Sequence, residues 1–368
     1  MKLVIATPLY PPESGGPATY AKLLEDELPK YGIEPTVVRF SEVLHFPKVL
    51  RHFLYMGLVK RALKESDAVL ALDPVSTGFP AYKAARALGK PLYVKIVGDY
   101  AWEQGTQRFG ITDSLDAFVK RRKVPLPVRM MRLVETLVAK AAVRIIVPSA
   151  YLKRIIGAWG VDTGKIDIIY NAAPLLPPPS SYARPNDVPP GPYLICVARL
   201  VPWKGMDGVI RALKRLRETR PELSLVIVGE GPEETRLKAL ARDEGLTDAV
   251  VFVGRKPQGE APAYLLHAEA FILNTGYEGF SHLILEAFTL SVPVITTPIG
   301  GNTEQVEEGI SGLLVPFQDD AALAAAVERL LCDRTLRARI IEGATKRLTA
   351  FSRERLGKEL STLLTSSL

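Results

Sequence analysis

Residues 224–254, SLVIVGEGPEETRLKALARDEGLTDAVVFVG, contain one complete strand–helix–strand unit. The apolar runs SLVIV and VVFV stand on either side of EETRLKALARDEG, which has the pattern of a helix. Because neither run alternates apolar with polar residues, both predict strands buried on two faces, as in a parallel sheet covered by helices.

The same pattern extends in both directions from this unit, through PYLICVARL, SHLILEAFTL and PVITT in the second half and LVIATP, AVLALD, PLYVKIVGD and VRIIVPS in the first. Residues 171–193, NAAPLLPPPSSYARPNDVPPGPY, are rich in proline and lack periodicity, which is typical of a linker. We therefore predict an α/β protein with two Rossmann-like, doubly wound parallel-sheet domains, residues 1–180 and 181–350, that face each other across a ligand-binding cleft. Residues 351–368, FSRERLGKELSTLLTSSL, predict a final helix.

The composition excludes several classes of protein. The chain has 368 residues, 47% hydrophobic and 24% charged, which suits a two-domain globular enzyme and not a disordered or fibrous chain. Two cysteines, Cys196 and Cys332, cannot build a disulfide framework or a thiolate zinc site. The start MKLVIATPLYPP is too short for a membrane span and lacks a small-residue cleavage site, so we expect a cytoplasmic location.

Positive charge is concentrated in the first half of the chain. Residues 1–180 hold 25 Lys and Arg against 16 Asp and Glu, a balance of +9, whereas the remaining residues hold 22 against 24, a balance of −2. Solvated surface cations explain such an imbalance in many proteins. The alternative is that the first half faces an anionic partner, either nucleic acid or a membrane surface.

Two short motifs could bind phosphate. Gly15 and Gly16 stand between the first strand and a helix, where a backbone without side chains can approach an anion. In VARLVPWKG, Arg199 ends a strand and Lys204 follows five residues later, so the pair could clamp a diphosphate. The alternative interpretations are an ordinary turn and two solvent-facing cations.

Residues 274–304, NTGYEGFSHLILEAFTLSVPVITTPIGGNTE, are the most specific segment. Glu278 precedes a predicted helix that begins within Phe280–Leu283, and Glu286 lies eight residues after Glu278, inside that helix. The helix start would accept a phosphate, while the two carboxylates would accept hydrogen bonds from sugar and ribose hydroxyls. Either glutamate could instead be a surface helix residue.

Together these motifs, with IVGEGPEE and SVPVITTPIGGNTEQVEEGISGLLVP, resemble those of glycosyltransferase family 4, retaining enzymes with the GT-B fold, over nearly the whole chain. The resemblance implies transfer of a sugar from a nucleotide-diphosphate donor with retention of configuration. It also implies that the final helix, residues 351–368, crosses back to the first domain. It implies that Arg199 and Lys204 bind the diphosphate, that Glu278 acts on the donor sugar, and that Glu286 binds the ribose. The remaining donor-binding residues that it implies are Gly15, Gly16, Gly279, Phe280, Ser281, His282 and Leu283.

The chain departs from the family pattern at KIVGDYAWE, where many members have a His-Gly step. Asp99 thus becomes the candidate catalytic residue beside Glu278, and Asp99, Trp102 and Glu103 become candidates for acceptor binding. The alternative for Asp99 is that it caps the following segment. No DxD motif occurs, so we expect no metal or other cofactor, and we favour same-face attack over a double displacement.

The segment HFPKVLRHFLYMGLVKRALK predicts an amphipathic helix with Phe46, Leu50, Phe53 and Leu54 on one face and Lys48, Arg51 and His52 opposite. With the cluster KRRKVPLPVRMMR, it suggests peripheral contact with anionic lipid on the inner face of the plasma membrane, and a glycan or lipid-linked acceptor. The alternative is an ordinary helix packed on its own sheet beside a solvated basic loop.

Three other functions remain open: a sugar-nucleotide epimerase, a phosphorylase of the same architecture, and a basic nucleic-acid-binding protein. The last has little support, because the sequence has no zinc-finger spacing and no RNP-like aromatic motif. We therefore expect no nucleic-acid partner.

Overall fold

The computed structural model describes residues 1–13, 15–257 and 259–366. The chain divides into two compact units. Unit 1 comprises Met1–Asn171 and the chain from Ser352 onward, and unit 2 comprises Ala172–Phe351. The Ala173 amide donates a hydrogen bond to the Phe351 carbonyl (2.8 Å), so the chain enters and leaves unit 2 at neighbouring points.

Unit 1 contains a parallel sheet in the order β2-β1-β3-β4-β5-β6. Its strands are β1 Lys2–Thr7, β2 Glu34–Arg39, β3 Ala68–Ala71, β4 Leu92–Lys95, β5 Arg144–Val147 and β6 Ile166–Ile168. Strands β1, β3, β4 and β5 are largely buried, as their continuous apolar runs predict, whereas the edge strands β2 and β6 are partly exposed. The strand order reverses between β1 and β3, which makes this the switch point of the sheet.

The helices that connect these strands in the described part of unit 1 are α1 Gly16–Glu27, α2 Lys48–Lys64, α3 Gly78–Leu88, α4 Tyr100–Arg108, α5 Leu115–Phe118, α6 Leu126–Ala141 and α7 Ala150–Gly157. Side chains of α2, α3, α6 and α7 share one hydrophobic core with the strands, so these helices cover the same face of the sheet. Helix α1 connects strands in the opposite direction, which places it on the other face because such crossovers are right-handed.

Helix α2 is amphipathic, but it does not bury all of its apolar side chains, as an ordinary packed helix would. Tyr55 and Val59 enter the core, whereas Phe53 is exposed. Arg51 and His52, expected on the polar face, are half-buried against the ring of Phe40. The apolar side of the first turns therefore faces outward. The side chain of Lys48 lies outside the described part of the structure.

Unit 2 contains a second parallel sheet, in the order β12-β11-β10-β7-β8-β9. Its strands are β7 Tyr193–Val197, β8 Ser224–Val228, β9 Val250–Gly254, β10 Ala270–Leu273, β11 Val294–Thr296 and β12 Leu313–Leu314. Its helices are α8 Met206–Leu216, α9 Glu234–Asp243, α10 Ala261–Leu266, α11 His282–Thr289, α12 Asn302–Gln305, α13 Asp320–Cys332 and α14 Arg334–Leu348. The predicted fold class of two doubly wound parallel sheets is confirmed.

The strand order of unit 2 reverses between the neighbouring strands β7 and β10. From β7 the chain proceeds outward through β8 and β9, and from β10 it proceeds outward through β11 and β12 in the other direction. In open α/β sheets, ligands bind at the carboxyl ends of the strands at such a switch point. The motifs that contain Lys204 and Glu278 lie in the loops that follow β7 and β10.

The final helix, α15 Arg353–Ser366, belongs to unit 1. The hydroxyl of Tyr93 on β4 donates to the Leu364 carbonyl (3.1 Å), and the hydroxyl of Tyr31 donates to the Glu354 carbonyl (2.9 Å). The sequence places domain boundaries after residues 180 and 350, whereas the compact units change over after Asn171 and after Phe351. The start of the linker groups with unit 2 because Leu176 packs on the core of that unit.

Among the described residues, no helix combines the length and the apolar character that are needed to cross a bilayer.

Candidate functional site

Two loops meet at the switch point of unit 2. The loop after β7 and the loop after β10 are joined through Trp203, whose carbonyl accepts hydrogen bonds from the Gly276 amide (2.7 Å) and the Thr275 hydroxyl (3.1 Å). The Asn274 side-chain amide donates to the Gly205 carbonyl (3.0 Å). These bonds fix the position of one loop on the other.

Gly205 makes the close approach of the two loops possible. Its φ is +56°, in the left-handed region that glycine adopts without strain. A Cβ atom here would lie 2.2 Å from the Asn274 carbonyl oxygen, far inside van der Waals contact. The glycine turn ends the short 3-10 helix Pro202–Lys204 and directs the chain into α8.

The result of this loop contact is an ion pair between Lys204 and Glu278. Lys204 Nζ lies 2.7 Å from Glu278 Oε2, and each side chain is only 17% exposed. Arg199, two residues beyond β7, is exposed, and no described residue forms a hydrogen bond or ion pair with its guanidinium. The switch point therefore carries one neutralised pair and one uncompensated cation.

Helix α11 begins at His282, within the predicted start Phe280–Leu283. Ser281 is the N-cap and accepts a hydrogen bond from the Ile284 amide (3.4 Å). The backbone of Ser281 is held outside the helix by Gln305, whose side chain accepts from its amide (2.8 Å) and donates to its carbonyl (2.7 Å). Phe280 is buried, with its ring edge-on to that of Phe351, and Leu283 is half-buried within the first turn.

Gly300 and Gly301 pack closely against the backbone just before α11. A Cβ on Gly300 would lie 1.9 Å from the Glu278 carbonyl oxygen, and one on Gly301 would lie 2.2 Å from the Gly279 carbonyl oxygen. The Gly301 amide donates to the Glu278 carbonyl (2.9 Å). The motif PIGGNTE thus has a positioning role that its sequence alone did not reveal, although the paired glycines were the available signal.

Glu286 is the second carboxylate of the segment. It lies in the second turn of α11, half-buried, and no described side chain forms a hydrogen bond or ion pair with its carboxylate. Desolvation by burial raises its pKa to about 7. Carboxylates that are desolvated and left without a partner are concentrated at functional sites, because only a ligand compensates their cost.

The Gly15 and Gly16 turn lies at the switch point of unit 1, directly after β1. Gly15 is the N-cap of α1, with φ +151°, and its carbonyl accepts from the Ala18 amide (3.0 Å). Both glycines are exposed, which leaves their backbone accessible. Pro17 lacks an amide hydrogen, so the helix start offers fewer donors than most.

Asp99 and Trp102 are buried in unit 1. Asp99 caps α4: its Oδ1 accepts from the Trp102 amide (2.7 Å), and its Oδ2 accepts from the Trp159 indole (3.1 Å). The Trp102 indole donates to the Asp113 carbonyl (2.8 Å). Both side chains thus form hydrogen bonds with other groups of the protein. For Asp99 this includes the helix cap that the sequence analysis gave as the alternative role. Glu103 is half-buried in the first turn of α4.

Asp99 has a partner that sequence reasoning missed, Glu135 on α6. Burial, and then the neighbouring Asp99 charge, hold the pKa of Glu135 well above its usual range, while burial raises the pKa of Asp99. These shifts favour the protonated form of Glu135, so one proton shared within the pair is favoured over two adjacent negative charges. A glutamate inside a helical pattern gives no sequence signal of such burial.

Within residues 1–13, 15–257 and 259–366, no three His, Cys, Asp or Glu side chains come close enough together to hold a metal ion.

Comparison with known families assigns both halves of the chain. The model "Glycosyltransferase Family 4" matches residues 14–175, and the model "Glycosyl transferases group 1" matches residues 183–347. The chain belongs to glycosyltransferase family 4. The group 1 match contains the whole switch-point site of unit 2, from Arg199 to Gly301.

Two curated relatives of this family member illustrate its similarity to named enzymes. A GDP-mannose-dependent alpha-(1-6)-phosphatidylinositol monomannoside mannosyltransferase of Mycolicibacterium smegmatis is 35% identical over 50% of this chain and 48% of its own length. A D-inositol 3-phosphate glycosyltransferase of Acidothermus cellulolyticus is 30% identical over 73% of this chain and 66% of its own length. The matches span about half to two thirds of the relatives' lengths.

Solved structures share the fold at lower identity. Sucrose-phosphate synthase from Thermosynechococcus elongatus has a TM-score of 0.78 at 19% identity, covering 99% of this chain and 98% of that one. Anabaena Alr3699/HepE, in complex with UDP and glucose, has a TM-score of 0.77 at 18% identity, covering 100% of both chains. At this identity the likeness establishes the fold alone.

The Asp99–Glu135 pair predicts a pH dependence of stability in this family member. Because the pKa of Glu135 is higher in the folded than in the unfolded chain, its contribution to the unfolding free energy is largest at low pH and is lost as pH rises through the folded pKa. Glu135→Gln keeps a donor toward Asp99 but cannot ionise. We expect its stability, relative to the parent, to improve steadily between about pH 5 and pH 8 in urea unfolding.

The matched control is Glu65→Gln, which removes an exposed glutamate from the same unit. It should leave the pH profile of the unfolding free energy unchanged. Parallel profiles for Glu135→Gln and the parent would contradict the shared proton.

Proposed function

We propose that this protein is a retaining glycosyltransferase that moves a sugar from a nucleotide-diphosphate sugar to a hydroxyl of a glycan or lipid-linked acceptor. The observation that carries the proposal is the Lys204–Glu278 ion pair at the switch point of unit 2. It sets a cation suited to the diphosphate beside a carboxylate suited to sugar hydroxyls, directly before the start of α11.

The chemistry requires charge stabilisation on the leaving group. Cleavage of the bond between the anomeric carbon and the diphosphate places negative charge on the departing phosphate. The Arg199 guanidinium has no hydrogen-bond or ion-pair partner among the described residues, and Lys204 already lies at the site. The start of α11 adds the positive end of a helix dipole. We propose that these groups supply the positive charge and that the transfer uses no metal ion.

Glu278 has a different task in this proposal. Its carboxylate accepts hydrogen bonds from hydroxyls of the donor sugar, while Lys204 turns toward the phosphates or bridges the two groups. Retention then follows from attack on the same face. The acceptor oxygen bonds to the anomeric carbon as the bond to the diphosphate breaks, and the acceptor proton passes to a departing phosphate oxygen. Asp99 is not assigned a step, since both of its oxygens accept hydrogen bonds from the protein.

The relatives favour a nucleoside-diphosphate donor without fixing the base. The mannosyltransferase is named for GDP-mannose, and HepE was solved with UDP and with UDP-glucose. Glu286 suits either nucleotide, because a ribose diol is common to both. A thermal-shift panel of nucleotide sugars would identify the donor. Conversion of the donor into its epimer in the absence of any acceptor would instead indicate an epimerase.

The diphosphate assignment is tested by removing one cation at a time. Arg199→Ala and Lys204→Ala each remove a charge-assisted contact of about 1.5–3 kcal/mol, which weakens UDP or GDP binding roughly ten- to a hundredfold by calorimetry. Lys238→Ala is the matched control, because Lys238 is an exposed cation of unit 2 that pairs with Glu234 on α9. Unchanged affinity in both site variants would refute the assignment.

Glu286 predicts a pH dependence of nucleotide binding. The carboxyl has a pKa of about 7 in the free protein, and the ionised form is the better acceptor for ribose hydroxyls, so binding should favour deprotonation. We expect UDP or GDP affinity to rise up to about tenfold between about pH 6 and pH 8. The Glu286→Gln variant should lose the part of this dependence that comes from the carboxyl. An identical pH profile in parent and variant would show that Glu286 does not bind the nucleotide.

A further inference from the structure

Helix α6 of unit 1 presents a continuous apolar stripe to the outside. The stripe consists of Leu126, Met130, Leu133 and Leu137, which are 69%, 53%, 56% and 44% exposed. Their spacing of four, three and four residues places them on one face of the helix. Of the large apolar side chains that are exposed among the described residues, all except Leu175 and Ile310 belong to unit 1.

The stripe is not needed to hold α6 in place. The helix packs inward through a separate set of side chains, with Val128, Val138 and Ala139 buried. Val138 and Ala139 belong to the core shared with α3 and the strands of unit 1. A soluble surface helix would carry polar residues on its outer face, so four large apolar residues there indicate a partner.

Positive charge surrounds the stripe. Four exposed cations precede it or lie along it, and none of their side chains has a hydrogen-bond or ion-pair partner among the described residues: Lys120, Arg122, Lys123 and Arg129. Between residues 117 and 141 the only acidic residue is Glu135, which is buried away from the outer face of the helix. The outer face of α6 thus combines apolar and cationic groups with no negative charge.

We infer that the α6 stripe docks on an anionic lipid bilayer, with α6 lying in the plane of the interface. The four apolar side chains enter the boundary between headgroups and acyl chains, and the cations contact lipid phosphates. A second copy of the chain would bring like charges together at this face. Nucleic acid would satisfy the cations but would leave the apolar side chains without an apolar environment.

A second helix on the same face of the unit 1 sheet also agrees with a lipid partner. Helix α2 shares the core of α6, and its first turns direct Leu50, Phe53 and Leu54 outward. The sequence pattern had pointed to α2 and to the basic cluster, but it missed the stripe on α6. Lipid docking would hold the protein at the membrane, where a lipid-linked acceptor resides. Because docking requires neither donor binding nor sugar transfer, its test is independent of the proposed activity.

The test is co-sedimentation of the full chain with vesicles at physiological salt. Vesicles of equal parts phosphatidylglycerol and phosphatidylcholine should bind the protein, and vesicles of phosphatidylcholine alone should bind it at least tenfold more weakly. The double variants Met130→Gln/Leu133→Gln and Arg122→Glu/Lys123→Glu should each lose about tenfold or more of the binding to anionic vesicles. Circular dichroism checks that both variants are folded.

Matched controls lie in unit 2. Leu175→Gln removes an exposed leucine, and Arg334→Glu reverses an exposed cation that has no side-chain partner among the described residues. Both controls should bind anionic vesicles as the parent does. Negligible binding of the parent to anionic vesicles would overturn the inference, as would binding that survives both α6 variants. A dimer in light scattering that Met130→Gln/Leu133→Gln dissociates would assign the face to a second copy and likewise contradict it.

Discussion

The candidate site depends on close backbone contact between loops at the carboxyl edge of the unit 2 sheet. Gly205 and Gly300 lie against the carbonyl oxygens of Asn274 and Glu278 at distances that leave no space for a Cβ atom. This contact brings Lys204 and Glu278 together as a mostly buried ion pair. Removing either partner would leave the other charged group partly desolvated without compensation, so the pair also stabilises the loops in their positions.

The fold could be predicted from the sequence because its signal is local and repeated. Continuous apolar runs such as Leu225–Val228 indicate strands buried on both faces, and the intervening helical patterns indicate a parallel sheet. The order of the strands in the sheet has no such local signal in the sequence. That β7 and β10 are neighbours follows from how the crossovers wind, and it is this adjacency that brings Lys204 and Glu278 into contact across more than seventy residues of chain.

The sequence was less informative wherever burial decides the role of a residue. Asp99 and Glu286 are both carboxylates near a helix. Asp99 caps α4 inside unit 1, whereas no described side chain forms a hydrogen bond or ion pair with Glu286 on α11. Residue type and spacing do not distinguish these environments, because desolvation depends on side chains contributed by distant segments. The same reason explains why Glu135 and the outward stripe on α6 were missed, since an apolar residue in a helical pattern is usually a core residue.

The most direct measurement is a crystal structure of the protein with bound UDP or GDP. The account predicts that the diphosphate lies within hydrogen-bonding distance of the Arg199 and Lys204 side chains at the start of α11, with the ribose hydroxyls on Glu286. A nucleotide bound elsewhere, with its phosphates away from both cations, would contradict the account.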